Sequence, residues 1–489
     1  MALTTFDLVI RNGTIVTAVD TYPADVAVVD GRIVRLGQGL GPGRREVDAN
    51  GRLVMPGGVD SHCHIEQISA SGMMNADSFA SATHSAALGG TTTVIPFAAQ
   101  HVGMNLTEVV ADYHALAARG AVVDYAFHLI LADPRPEVLA EQLPPLVAAG
   151  HASLKIFLTY DRIRLDDHQA LDVLAAARRL GCLVCVHAEN HGMIEWVAAR
   201  LVDRGYTEAK FHAISHPRAG EAEAIERAAA LARLLDQPLM VFHVSTEEGL
   251  QAVRRAQQGG AKLHAETCTH YLVLTREAMD RPDGNGAKWI CSPPLREPHD
   301  QDALWQALGD GTLQTVSSDH APYAADATGK FQAGPDPVFK AVPNGLPGLA
   351  FRLPILFDAM VSAGRLGANA FVRLTATEPA RLYGLDDRKG SIAIGSDADL
   401  ALWDPDREVT LSAELAADRT GYTPFEGMTV RGWPTTVVRR GEVVVEDGVM
   451  LAAPGSGRFL PRAAGAAATP SGRPSPELDP ERNFGAILD

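Results

Sequence analysis

Residues 152–187, ASLKIFLTYDRIRLDDHQALDVLAAARRLGCLVCVH, hold two short apolar runs separated by a longer polar and apolar segment. The runs, 152–158 and 182–187, have the length and composition of buried strands. The segment between them, 166–181, is rich in Ala, Leu and Arg and repeats its apolar residues with the period of a helix. Strand, helix and strand in this order indicate a βαβ unit with parallel strands.

The same alternation continues on both sides, from about residue 57 to about residue 390. Helical segments such as 221–235 separate short apolar runs that each have the length of one strand. There are eight such runs: RLVMP (52–56), TTTVIPF (91–97), YAFHLIL (125–131), ASLKIFL (152–158), CLVCVH (182–187), PLMVFHVS (238–245), AKLHAET (261–267) and LQTVSS (313–318). Eight βα units predict a (β/α)8 barrel, in which chemistry takes place at the C-terminal ends of the strands.

Both ends of the chain have a different pattern, that of short strands joined by tight turns. Asn12-Gly13, Asp30-Gly31 and Arg440-Gly441 lie between β-branched runs and predict hairpins. We expect the two ends to pair into one composite β-sandwich, with the barrel inserted between its halves. The predicted domains are 1–56 (sandwich, N-terminal part), 57–391 (barrel), 392–452 (sandwich, C-terminal part) and 453–489 (a Pro-, Gly- and Ala-rich tail without its own core).

Composition excludes several classes of protein. The chain has 489 residues, is 46% hydrophobic and has a net charge of −16, which disfavours a nucleic-acid or anionic membrane partner. No signal peptide or membrane-spanning stretch is visible, so a cytoplasmic protein is expected. The five cysteines are too few and too scattered for a disulfide framework, and Cys182 and Cys185 are interpreted as buried strand residues.

Polar residues that can bind metal lie at the ends of several predicted strands. His62 and His64 follow the first run, and alternate residues of an extended chain point to the same side. One His-x-His pair proves little, so further ligands should end other strands. Four residues meet this expectation, on strands four, five, six and eight: Lys155, His187, His243 and Asp319.

Lys155 is the unusual member of this set, because an ammonium group repels cations. A lysine on an apolar strand loses hydration, its pKa falls, and its neutral amine can add carbon dioxide. The resulting carbamate has two oxygens that can bridge two metals. From spacing alone, however, a buried ion pair with an acidic neighbour is the favoured interpretation of Lys155.

The residues that can bind metal lie in stretches that resemble those of a known family. The chain resembles the dihydropyrimidinase and hydantoinase branch of the cyclic amidohydrolases, from residue 7 to about residue 460 and in the order of the family. The matching stretches are MPGGVDSHCHIE, GGTTTVI, LKIFLTY, VHAEN, FHVSTEEGL, ETCTHYL, CSPPLRE, SSDHAPY, VPNGLPG, KGSIAIGSDADLALWD and YTPFEGMTVRGWP.

The resemblance implies a barrel with a β-sandwich, a small-molecule cyclic amide substrate and two divalent metal ions, usually zinc. It implies that His62, His64, Asp319 and carboxylated Lys155 bind one metal. It implies that His187, His243 and the same carbamate bind the other. It also implies a homo-oligomer, commonly a tetramer, with a dimer as the alternative.

Three more residues match family positions around the substrate. Tyr160 matches the tyrosine that holds the oxyanion, and Ser292 and Asn344 match positions whose backbone groups hold the ring amide. Without the resemblance, Tyr160 is typical of an ordinary core tyrosine and Ser292 of a turn. The implied reaction is hydrolysis of a cyclic amide C–N bond by a hydroxide that bridges the metals, with Asp319 as proton acceptor and then donor.

The chain departs from the family pattern around the substituent of the ring. The loop after His64, IEQISASGMMNADSF (65–79), lacks the usual aromatic segment, and Pro96 replaces a common Asp. The chemistry is therefore expected to be retained while the substituent pocket is changed. Cyclic imide hydrolase and allantoinase-like activities remain alternatives, as do a mononuclear deaminase and a non-catalytic scaffold. Dihydroorotase is disfavoured because Ile65-Glu66 follows the histidine pair where an Arg is usual.

Overall fold

The computed structural model describes residues 5–69, 72–463, 465–473 and 475–488. Small parts of the predicted N-terminal sandwich segment, of the loop 65–79 and of the tail lie outside the described residues. The strands, in chain order, are β1 (Phe6–Val16), β2 (Thr21–Val29), β3 (Arg32–Gly37), β4 (Gly43–Asp48), β5 (Leu53–Pro56), β6 (Gly58–Cys63), β7 (Thr91–Ala99), β8 (Asp124–Tyr125), β9 (His128–Ile130), β10 (Ser153–Phe157), β11 (Leu183–His187), β12 (Leu239–Val241), β13 (Leu263–Cys268), β14 (Thr315–Ser317), β15 (Leu400–Thr410), β16 (Thr429–Arg439), β17 (Glu442–Glu446) and β18 (Val449–Met450).

Helices fill most of the connections between these strands. The α-helices are α1 (Phe79–Leu88), α2 (Leu106–Gly120), α3 (Leu143–Ala148), α4 (Asp167–Leu180), α5 (His191–Asp203), α6 (Phe211–Ser215), α7 (Arg218–Leu234), α8 (Glu247–Gln258), α9 (Thr269–Val273), α10 (Pro298–Asp310), α11 (Arg352–Phe357), α12 (Ala368–Val372), α13 (Glu378–Leu382) and α14 (Ala413–Ala416). Short 3₁₀ or π segments occur at Val138–Gln142, Arg276–Met279, Asn285–Trp289, Phe339–Ala341, Asp358–Ser362, Arg373–Thr377, Ala466–Ala468 and Pro476–Leu478.

The central sheet is parallel and follows the order β6-β7-β9-β10-β11-β12-β13-β14, with β8 added beside β7. It closes where the chain leaves β14: the backbone N–H of His64 donates to the carbonyl of His320 over 2.7 Å, and Cys63 and His320 form a parallel bridge. The fold is therefore the predicted (β/α)8 barrel. The helix predicted at 166–181 is confirmed as α4, which begins after the capping residue Asp166 and ends before Gly181 in the left-handed conformation.

One predicted barrel strand is wrong. The run RLVMP forms β5, which pairs with β1 and β15 in the other sheet. The first barrel strand is instead β6, whose six residues are all buried although three of them are the polar Asp60, Ser61 and His62. These polar residues interrupt the apolar pattern, so periodicity alone missed the strand.

The second sheet joins both ends of the chain, as expected. Its order is β18-β17-β16-β15-β5-β1-β2-β3, with β4 beside β1, and it encloses its own apolar cluster. The hairpins at Asp30-Gly31 and Arg440-Gly441 are confirmed, with positive φ at both residues of each turn. The hairpin at Asn12-Gly13 is wrong, because β1 continues through it with a shift of register against β2. The domain boundaries at 56, 391 and 452 stay predictions.

The tail packs against the barrel rather than forming a core of its own. Arg462 is buried and its Nη2 donates to Ser153 Oγ over 2.9 Å, and Leu460 N–H donates to the carbonyl of Tyr125 over 2.7 Å. All five cysteines are buried and free; Cys185 lies in β11 as expected, whereas Cys182 immediately precedes that strand. Among the described residues, no helix combines the length and the apolar character needed to cross a membrane.

Candidate metal centre

One cavity of about 370 Å³ lies at the C-terminal ends of the barrel strands. All nine residues singled out in the sequence line it: His62, His64, Lys155, Tyr160, His187, His243, Ser292, Asp319 and Asn344. The strands explain this convergence. The last residues of parallel barrel strands all lie on one face of the barrel. Seven of the nine residues lie in or just after β6, β10, β11, β12 or β14, and Ser292 and Asn344 lie in the long loops after β13 and β14.

Two histidines and one carboxylate converge in the first half of the cluster. Asp319 Oδ1 lies 3.1 Å from His62 Nε2 and 3.3 Å from His64 Nε2. Four ligands held about 2.1 Å from one zinc ion in a tetrahedron lie about 3.4 Å from one another. Each of the two histidine nitrogens is therefore spaced from Asp319 Oδ1 as two ligands of one cation would be. Asp319, His62 and His243 also form a group whose donor atoms all lie within 4.8 Å of one another.

Neighbouring polar groups fix the direction in which these two imidazoles point. His62 Nδ1 lies 2.6 Å from Glu266 Oε1, and His64 Nδ1 lies 2.7 Å from the side-chain oxygen of Gln67. Glu266 also receives a hydrogen bond from the hydroxyl of Ser317. A hydrogen bond donated from Nδ1 leaves the lone pair on Nε2, which is the atom that faces Asp319. Both histidines are thus prepared to bind a cation through Nε2.

His187 and His243 form the second half of the cluster, with 4.4 Å between their ring centroids. Nε2 of His187 lies 2.7 Å from Glu189 Oε2, so Nδ1 is the atom left for a ligand bond. Burial lowers the pKa of His187 to about 3 and raises the pKa of Glu189 to about 8. A neutral imidazole is the form that binds metal.

Lys155 has no hydrogen-bond partner for its Nζ atom among the described residues, although the side chain is completely buried. The atom lies 4.0 Å from the ring centroid of Phe242 and 4.9 Å from that of Phe157. The ion pair that spacing alone favoured is therefore wrong. Burial lowers the pKa of Lys155 to about 7, so a neutral amine exists near neutral pH. An unpartnered buried amine among three histidines and a carboxylate fits conversion to a carbamate shared by two cations.

Three residues of the cluster hold strained backbone conformations. Tyr160, His243 and Asp319 have φ angles of 74°, 43° and 44°, in the left-handed region that non-glycine residues rarely adopt. Each lies two or three residues beyond the end of its strand, where the chain turns away from the barrel. Such strain persists where the surrounding fold imposes it, and it is common at functional sites.

Tyr160 lies between the two other predicted substrate residues. Burial raises the pKa of Tyr160, and the side chains of Ser292 and Asn344 beside its hydroxyl oppose that shift. The hydroxyl therefore stays protonated at neutral pH and can donate a hydrogen bond into the cavity. The segments of Ser292 and Asn344 are tied together, because Gly345 N–H donates to the carbonyl of Ile290 over 3.0 Å.

A second group of possible ligands shares Asp319 with the first: Cys268, His270 and Asp319 also lie within 4.8 Å of one another. Burial raises the pKa of Cys268 well above its usual value, so the thiol stays protonated. The Cys268 thiol also lies 3.4 Å from the hydroxyl of Ser317. A protonated thiol is a poor ligand, and the group around His62 and His64 is the better candidate.

Sequence reasoning missed the residues that orient the histidines. Glu266 is the last residue but one of the run AKLHAET, and Glu189 stands two residues after His187 in VHAEN. An acidic residue inside or just after a buried strand was the available signal for both. Gln67, three residues after His64, carried no such signal.

The chain is similar to known proteins along most of its length. Residues 53–444 match the amidohydrolase family. A D-hydantoinase of Ralstonia pickettii is 42% identical over 457 residues, which cover 93% of this chain and 99% of that protein. A D-phenylhydantoinase of Escherichia coli is 36% identical over 463 residues, which cover 93% of this chain and 98% of that protein.

Solved structures agree with these matches. A dihydropyrimidinase structure from Brevibacillus agri superposes with a TM-score of 0.90 and 39% identity, and the match covers 94% of this chain and 99% of that one.

Proposed function

The chain belongs to the amidohydrolase family, in its hydantoinase and dihydropyrimidinase branch, and is a hydrolase of cyclic amides; we propose that it opens a cyclic ureide or imide at one ring C–N bond with the help of two divalent cations, most simply zinc. The observation that carries the metal centre is the spacing of Asp319 Oδ1 from the Nε2 atoms of His62 and His64. Seven histidine side chains line the cavity that contains these residues.

The residues would divide between two cations. His62, His64 and Asp319 hold one, His187 and His243 hold the other, and a carbamate on Lys155 is shared by both. Bound divalent cations supply hydroxide near neutral pH and act as Lewis acids toward a carbonyl oxygen. The support for the carbamate is the unpartnered, buried Nζ of Lys155, whose lowered pKa makes a neutral amine available near neutral pH.

The other side chains act on the substrate directly. The Tyr160 hydroxyl donates to the carbonyl oxygen as negative charge grows on it, in a buried site where such a hydrogen bond is strong. Asp319 takes a proton during attack and returns it to the ring nitrogen, which leaves poorly as an anion. Ser292 and Asn344 hold the ring amide beside Tyr160.

The substituent of the ring would lie in the outer part of the cavity. Arg162, Glu195 and Lys340 line the outer part of the cavity, with a 2.6 Å ion pair between Glu195 and Lys340. Ile68 and Met74, in the loop that lacks the usual aromatic segment, are bridged and partly exposed. Ile163, Ile194 and Phe339 line the same cavity, so a substituent would meet both polar and apolar side chains.

The test is a panel of hydantoins, dihydropyrimidines, cyclic imides and allantoin, assayed for ring opening with metal counted per chain. Opening of hydantoins or dihydropyrimidines with two metals per chain supports the proposal. Preferred opening of succinimide-type rings or of allantoin also supports the ring-opening reaction but assigns the specificity to the cyclic imide hydrolase or the allantoinase-like alternative. One metal per chain, or no opening of any ring by the fully loaded protein, contradicts it.

We further propose a homo-oligomer, a dimer or tetramer, that acts in the cytoplasm without nucleic-acid or membrane partners. Large apolar side chains near the C-terminus, Phe484, Ile487 and Leu488, are strongly exposed in the single chain, and assembly would cover such residues. Sedimentation equilibrium measures the state of assembly, and a monomer at micromolar concentration contradicts the proposal.

A further inference from the structure

A buried histidine outside the cluster of proposed ligands touches the substrate side of the cavity. His216 follows α6, and its Nε2 lies 3.2 Å from the hydroxyl oxygen of Ser292. Both residues line the cavity. His216 was not among the residues that the sequence singled out, and the reaction described above does not use it.

The hydrogen bonds on the far side of the ring determine where its proton lies. His216 Nδ1 lies 2.9 Å from Ser215 Oγ and 3.2 Å from the carbonyl oxygen of His212. The Ser215 hydroxyl already donates to that same carbonyl over 2.8 Å, so its oxygen can only accept from His216. Both partners of Nδ1 are therefore acceptors, and Nδ1 carries the hydrogen.

The remaining nitrogen is then an acceptor. Burial lowers the pKa of His216 well below its usual value, so the ring is neutral and Nε2 has a free lone pair. The Ser292 hydroxyl must use its only hydrogen to bond with that lone pair. The lone pairs of Ser292 Oγ are left for the cavity.

We propose that His216 is a positioning residue that fixes the Ser292 hydroxyl as a hydrogen-bond acceptor, so that this hydroxyl receives a ring N–H of the substrate in addition to the backbone contact that the family resemblance implies for Ser292. The inference rests on the proposed function, because it assumes a cyclic amide in the cavity. Ring ureides and imides present a C=O and an N–H side by side. Tyr160 supplies the donor for the first, and Ser292 supplies the acceptor for the second.

The surroundings hold both partners firmly enough for this role. Arg296 Nη1 donates to the carbonyl of His216 over 2.8 Å, and His212 Nε2 donates to the carbonyl of Cys291 over 2.8 Å. The segment that carries His216 is thereby fixed to the residue just before Ser292. A ring without the N–H would leave the acceptor buried and unpaired, which is costly.

Two substitutions test the contacts of the two imidazole nitrogens separately. In His216→Asn the amide reaches about as far as Nδ1 and cannot contact Ser292, whereas in His216→Gln the terminal oxygen can take the place of Nε2. We expect His216→Asn to raise KM by about 10-fold with a smaller change in kcat. His216→Gln is expected to stay within about 3-fold of wild type. Bound metal is expected to be unchanged in both.

A double-mutant cycle with Ser292→Ala tests whether His216 changes KM through its contact with Ser292. If His216 acts through Ser292, His216→Asn adds no further rise in KM to Ser292→Ala. Independent, additive rises overturn the inference, and so does a His216→Gln variant as impaired as His216→Asn. If position 216 accepts no substitution, Ser292→Ala alone must raise KM by about 10-fold, and an unchanged KM overturns the inference. Failure of wild type to open any ring would instead contradict the proposed function.

Discussion

Glu266 Oε1 lies 2.6 Å from His62 Nδ1, and both side chains are buried in the barrel. The pair connects β13 to β6 across the barrel and directs Nε2 of His62 toward Asp319. In the proposed metal centre, the carboxylate would support metal binding by holding the imidazole of His62.

Glu266→Gln is expected to weaken metal binding by about 10- to 100-fold, because the neutral amide holds the imidazole less strongly and makes its Nε2 less basic. Competition with a chelator measures the metal affinity. Glu141→Gln, the same change at an exposed residue outside the cavity, is the matched control. Equal metal affinity in Glu266→Gln and wild type would contradict the orienting role.

Lys155→Ala is expected to lose bound metal and activity together, because the shared carbamate can no longer form. Metal per chain and turnover of the best substrate in the panel are the two measurements. Short carboxylates added at high concentration should restore part of both, since they can enter the space that the side chain leaves. A variant that keeps two metals and full turnover would show that no carbamate is needed.

Tyr160→Phe is expected to lower kcat by about 10²- to 10³-fold, which is typical for the loss of one donor to an oxyanion. Bound metal should stay at the wild-type level, because the hydroxyl is not a proposed ligand. Tyr206→Phe, at an exposed tyrosine outside the cavity, is the matched control. A kcat within about threefold of wild type would show that the Tyr160 hydroxyl does not stabilise the oxyanion.

Lys330 ties together the segments that carry Ser292 and Asn344. Its buried Nζ lies 2.7 Å from the carbonyl oxygens of Ile290 and Pro343. Lys330→Met is expected to lower the free energy of unfolding by about 2 kcal/mol, because buried carbonyls lose a donor, and to raise KM as the two segments separate. Denaturant unfolding and steady-state kinetics measure the two effects. An unchanged KM would contradict the coupling.

The same lysine predicts a dependence of stability on pH. Burial lowers the pKa of Lys330 to about 7, whereas a lysine in the unfolded chain has a pKa of about 10.4. Between these values the unfolded chain binds a proton that the folded protein does not, so the contribution of Lys330 to the free energy of unfolding rises with pH. The difference between wild type and Lys330→Met should therefore grow from about pH 7 to about pH 10. A constant difference would contradict the lowered pKa.

Much of the barrel and the whole candidate cluster could be predicted from the sequence. Strands and helices of a barrel repeat short local patterns, and ligands at strand ends are visible as polar residues that end apolar runs. The first barrel strand was missed because His62 and its polar neighbours lie inside the strand. Glu266 and His216 were missed as partners because their contacts join residues far apart in the chain, and no local pattern records such contacts.

The barrel closes beside the proposed ligands themselves. Ser318 Oγ donates to the carbonyl of His62, a contact between residues 256 positions apart, and the seam is completed by the short bridge at Cys63 and His320. Joining so distant parts of a chain costs considerable loop-closure entropy, and a seam of few hydrogen bonds repays little of it. Cations bound by His62 and Asp319 would connect the two sides of this junction. Metal binding would then both complete the active site and stabilise the closed barrel.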